Sequence, residues 1–113
     1  MTNAQTAIWQ GASGKQYTYY AYSLPCSFEQ KKGNYIFARI GAGKWVPIYI
    51  GEGDLKDRIS NPDQAACITS KGASHIHVHS ESNEQSRKAE ESDLLAGNPE
   101  AYVPTGCNVK PGG

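Results

Sequence analysis

The chain has 113 residues, with 11 basic and 11 acidic side chains and a formal net charge of zero. That length suits one domain with a single modest core, burying roughly two-thirds of the unfolded surface. The charge balance counts against a broadly basic nucleic-acid binder, because affinity for duplex DNA rests largely on phosphate neutralisation. No apolar run approaches the ~20 residues of a membrane helix and nothing resembles a secretory leader, so no membrane partner and a cytoplasmic setting are expected.

Residues 1–15 are polar apart from Ile8 and Trp9, and read as a partly ordered N-terminal arm. Gln16 to Leu24 is rich in tyrosine (Tyr17, Tyr19, Tyr20, Tyr22) and suits a strand. Its alternation is imperfect, which favours an edge position. Pro25 to Lys32 reads as a loop. From Asn34 to Gly51 two alternating segments flank Gly41-Ala42-Gly43-Lys44, the pattern of a β-hairpin. One face would carry Ile36, Ala38, Ile40, Val46, Ile48 and Ile50, and the other Tyr35, Phe37, Arg39 and Tyr49. Pro47 cannot donate to a ladder, so its nitrogen should face an unpaired side.

Asp54 is a good N-cap for a short helix whose Leu55 and Ile59 share a face and which ends before Asn61-Pro62. Asn61-Pro62-Asp63 then reads as cap, first-position proline and first-turn acid of a second helix, with Gly72 as its stop. Ser74 to Ser80 alternates sharply: Ile76 and Val78 point one way, His75, His77 and His79 the other. Ser82 to Gln85 offers a capping box for a longer helix reaching about Ala96, ended by Gly97 and Pro99. Loop follows, with residues 109–113 as a flexible tail. The expected class is α+β, a small antiparallel sheet (the hairpin plus further strands) flanked by helices, in one domain over 16–108.

Three widely spaced cysteines, Cys26, Cys67 and Cys107, with no CxxC pair indicate neither a zinc ribbon nor a disulfide framework. Reduced thiols are expected, Cys67 as a small buried hydrophobe. The positive charge gathers in the first half (Lys31, Lys32, Arg39, Lys44, Lys56, Arg58), and most acids fall in the second.

Several of these segments together resemble the GIY-YIG nuclease superfamily. Asn34-Tyr35-Ile36 stands as a variant of its first motif, and Tyr49-Ile50-Gly51 is its second. Asp54-Leu55-Lys56-Asp57-Arg58 is similar to the following helix with its arginine, and Glu91-Ser92-Asp93-Leu94-Leu95 to the late glutamate with two apolar residues. Pro104 and Asn108 are similar to the terminal proline and asparagine. The resemblance spans Gly33 to Asn108. It implies a metal-dependent DNA endonuclease, with a three-stranded antiparallel sheet flanked by helices and here an added N-terminal strand.

The chemistry fits those residue types. Phosphodiester hydrolysis needs an activated water, a divalent cation (Mg2+ or Mn2+) and charge stabilisation on the phosphate. Glu91 is the expected metal ligand, since magnesium accepts one carboxylate and keeps its waters. Arg58 suits bidentate phosphate binding. Tyr49 would act as base or water-orienting group with Tyr35 in support, provided a nearby cation lowers a phenol pKa from ~10. Asn108 would fix the tyrosine or the glutamate by hydrogen bonding. His77 is the histidine assigned to the cleft, as acid or phosphate ligand.

Three departures from the family pattern stand out. The loop Glu52-Gly53-Asp54 is a residue short, Glu52 occupies a position where some members have lysine, and Asn61-Pro62 replaces a helix histidine. They keep open a non-catalytic module that binds nucleic acid or protein. A transition-metal protein built on His75, His77 and His79 is a further alternative. Cutting both DNA strands would need a homodimer or a recognition partner.

Overall fold

The computed structural model describes residues 5–110; the first four residues of the expected arm and the last three of the tail lie outside it. Five strands form one antiparallel sheet: β1 (Gln5–Gln10), β2 (Gln16–Ser23), β3 (Lys32–Gly41), β4 (Lys44–Asp54) and β5 (His75–Ser80), in the order β1-β2-β5-β3-β4. The helices are α1 (Leu55–Ser60), α2 (Ala65–Ser70) and α3 (Glu84–Gly97), followed by a single 3-10 turn, Pro99–Ala101. The fold is α+β, as the sequence implies.

The hairpin forms because Ala42 and Gly43 both take positive φ, 51° and 76°, the requirement of a two-residue turn matched to strand twist. Residues 5–10, expected as part of an arm, instead form an ordered strand against β2. β2 is therefore internal rather than an edge. Its alternation looks imperfect because Tyr20 and Tyr22 stay exposed on one face while Tyr19 and Ala21 are buried on the other.

The sheet is covered on both faces, which the single apolar face read from the hairpin did not anticipate. On one side Leu55, Ile59 and Ile68 of α1 and α2 pack on Tyr35, Phe37, Ile48, Ile76 and Val78. On the other Leu94 of α3 and Ala101 pack on Trp9, Tyr19, Ile36, Ala38 and Ile50. Ile48 and Ile50 part company because the β3–β4 register shifts between Phe37 and Ala38. One extra residue of β4 reverses the inward direction of everything beyond it. Pro47 stands beside this bulge on an edge strand, where its missing N–H costs nothing. Ile40 lies past the covered area and is exposed.

Two caps differ from expectation. The second helix is capped by Gln64 in the left-handed region (φ 57°), not by Asn61, and α3 is capped by Asn83, whose side chain accepts from Ser86 N at 2.8 Å. Cys67 and Cys107 are joined in a disulfide, contrary to the reduced thiols expected. The odd count concealed the pair, since only Cys26 is left over. Among the described residues no helix is long and apolar enough to cross a membrane.

Candidate active site

The segment after α3 does not trail away as loop. Cys107 N donates to Ile48 O at 2.8 Å, and Tyr102 bridges Asn108 in parallel. Asn108 Oδ1 accepts from Ile50 N and its Nδ2 donates to Ile50 O, both at 2.9 Å. The tail thus satisfies the outer edge of β4. Beside that edge opens a cleft of about 780 Å³, lined by Tyr49, Asp63, Glu91, Tyr102 and Asn108 among others.

Three of the six site residues read from the sequence, Tyr49, Glu91 and Asn108, line this cleft; Tyr35 is buried behind Tyr49 and Arg58 stands at the margin. Tyr35 and Tyr49 come from neighbouring strands, their rings 6.2 Å apart and 21° from parallel. Gly51 is required by this arrangement, because a Cβ there would collide with the Tyr35 phenol. Glu91 reaches the cleft from α3. Asn108 acts through Ile50, the residue after Tyr49, rather than by a bond to either the tyrosine or the glutamate.

Arg58 stands at the margin, where its charge acts on Tyr35, Tyr49 and Glu91. Its stem lies over Gly53: a Cβ at that position would be 3.0 Å from Arg58 Nε, and the φ of 138° is one that glycine alone takes readily. Arg58 Nη1 pairs with Asp63 Oδ2 at 3.4 Å. Neither Asp54 nor Asp57 is its partner; Asp54 caps α1 by accepting from Asp57 N at 3.2 Å.

His77 does not belong to this group. It is fully buried on the opposite face, where its Nδ1 accepts from Trp9 Nε1 at 2.9 Å. The proton therefore sits on Nε2, which has no hydrogen-bond partner. The Trp45 and His77 rings stand perpendicular, with centroids 4.4 Å apart. Burial, reinforced by His75, pushes the His77 pKa down to about 4. His79 is engaged elsewhere, with Nε2 2.6 Å from Glu90 Oε2, and Glu90 also accepts from the Tyr19 hydroxyl. The histidine strand thus anchors Trp9 and α3. Among the described residues no three His, Cys, Asp or Glu side chains are grouped to hold an ion.

The electrostatics of the cleft are acidic. Burial raises the Tyr49 pKa, Asp63 and Glu91 raise it further, and the opposing effect of Arg58 is the smallest. Tyr35 is raised for the same leading reason. Arg58, one of the two cations expected to lower a phenol, is by itself outweighed: both tyrosines keep their protons at neutral pH. Glu91 is raised by burial and then by Glu52, with Arg58 and Lys88 pulling the other way. A half-buried carboxylate with no salt-bridge partner among the described residues suits a cation.

Glu52 itself is held. Arg87 Nε donates to its Oε1 at 2.8 Å, and Arg87 Nη1 donates to the carbonyls of Glu81 and Ser82. Glu52 thus locks α3 to β4. Sequence reading missed this pair and the cleft acid Asp63. Asp63 lies beyond a helix break, where periodicity gives no direction. Comparison of the chain with known family descriptions, curated proteins and solved structures finds no significant match.

Proposed function

We propose that this chain is a GIY-YIG-type endonuclease that hydrolyses phosphodiester bonds in DNA with the help of one divalent cation, Mg2+ or Mn2+. The observation that carries the reading is the convergence of Tyr49, Glu91 and Asn108 on one cleft, with Arg58 acting on the first two from its margin. These residues come from β4, α1, α3 and the tail, up to 59 positions apart in the chain (Tyr49 to Asn108).

Glu91 would hold the cation through its carboxylate, with water completing the shell. A bound cation supplies charge neutralisation at the phosphate and acidifies a coordinated water. Arg58 binds a phosphate oxygen with its fixed guanidinium fork. Tyr49, protonated in this surrounding, orients the attacking water by hydrogen bonding, and Tyr35 stacks behind it. Asn108 fixes the β4 backbone one residue beyond Tyr49, setting where the phenol points.

The test is nicking of supercoiled plasmid in Mg2+ or Mn2+. Wild type nicks, and Glu91→Ala, folded by circular dichroism, does not. Full activity in that variant, or none in wild type with either metal, overturns the reading. A single site cuts one strand, so double-strand breaks require two copies or two events. A DNA substrate favours a cytoplasmic setting, whereas the Cys67–Cys107 disulfide favours an oxidising one.

A second reading, a binding module without turnover, is favoured by the upward pull on Tyr49 and by Glu52 in place of a cationic side chain. Gel-shift of DNA without cleavage would select it.

A further inference from the structure

On the nuclease reading above, we propose that Asp63 is a positioning residue of the cleft: it holds the Arg58 guanidinium in the free protein and competes with the substrate phosphate for it. Three observations carry this. Asp63 Oδ2 lies 3.4 Å from Arg58 Nη1. Asp63 also lines the same cleft as Tyr49 and Glu91. The Arg58 side chain runs beside Gly53, where a Cβ would come within 3.0 Å of Nε and 3.4 Å of Cγ, so its path past β4 depends on that glycine.

The pair is exposed, 42% for the arginine side chain and 64% for the aspartate. Such pairs are screened by water and exchange readily. A phosphate is a better partner for a guanidinium fork than one carboxylate oxygen, since it offers two acceptors in the right plane. The Asp63 charge is felt within the cleft as well, acting on Tyr49 more strongly than Glu91 does. Asp63 therefore does two things to an arriving phosphodiester: it repels the anion and occupies its receptor. The effect is on substrate binding, not on the bond-breaking step.

The test compares wild type, Asp63→Asn, Arg58→Ala and the double variant. Binding of a labelled DNA duplex is followed by anisotropy in EDTA, and kcat and KM by cleavage in Mg2+. Asp63→Asn is expected to bind about 1.5- to fivefold tighter, the scale of removing one exposed charge contact, and to lower KM by a similar factor with kcat unchanged. The double variant is expected to match Arg58→Ala.

Unchanged or weaker binding by Asp63→Asn, or a gain that survives loss of Arg58, overturns the proposal. A change in kcat alone overturns it too. If no variant binds or cuts DNA, the nuclease reading fails, and the Asp63 contact is judged on the Arg58 Nε–H signal in NMR spectra. A shift of that signal in Asp63→Asn supports the hold on Arg58, and an unmoved signal refutes it.

Discussion

Asn108 clasps Ile50 by both of its side-chain polar atoms, replacing the strand that β4 lacks on its outer edge. Asn108 is buried, so its removal leaves a buried N–H and a buried C=O unpaired. Asn108→Ala is expected to lose about 2–4 kcal/mol of stability. Equilibrium urea unfolding checks this. Asn108→Asp should also be destabilised, because the carboxylate keeps the acceptor but loses the donor.

Arg87 and Glu52 are both largely shielded, at 7% and 16% side-chain exposure. Glu52→Lys would place a second cation against Arg87. The expected cost is about 3–5 kcal/mol, the scale of breaking a buried pair. Unfolding midpoints of Glu52→Lys and Glu52→Gln would show it, the lysine being worse.

The Cys67–Cys107 bond closes a stretch with a sequence separation of 40 and ties α2 to the segment carrying Asn108. Loop-closure entropy for a ring of that size is worth about 4 kcal/mol. The Cys67→Ser/Cys107→Ser double variant should lose stability on that scale. Reductant should lower the unfolding midpoint of wild type and leave that of the double variant unchanged.

Buried His77 and half-buried His79 make opposite contributions to stability as pH changes. The His77 pKa in the fold, about 4, lies below the unfolded value of 6.5, so its stabilisation is present above pH 6.5 and is lost as pH falls toward 4. The unfolded chain binds the extra proton in that window, a loss of about 3 kcal/mol. His79 is lowered by burial but raised more by its hydrogen bond to Glu90 and the charge of that group, so its net shift is upward. Its contribution is full below the unfolded pKa and fades as pH rises through the folded one. Urea unfolding from pH 4 to 8 should show His77→Phe flattening the acid side and His79→Gln flattening the neutral side.

Local rules carried the sequence reading far. The hairpin, the Asp54 cap, the strand over His75–Ser80 and the long helix after it follow from periodicity and turn chemistry, which depend on neighbours a few positions away. Tyr49 and Glu91, which line one cleft, lie on elements that those rules could position, whereas Asn108 lies in a segment they read as loop. Charge balance and the absence of a long apolar run bounded the class.

Tertiary structure decided the rest. A one-residue bulge after Phe37 set which isoleucines face which core, and no alternation pattern reveals an insertion. His77 went to the far face because strand parity fixed its direction while only packing fixed what covers that face. The disulfide, the Arg87–Glu52 lock and the Arg58–Asp63 pair join residues separated by breaks in secondary structure, where direction is set by the path of the chain in space. The pKa values of the tyrosines belong to that class too: burial and the acids brought near them by folding outweigh Arg58.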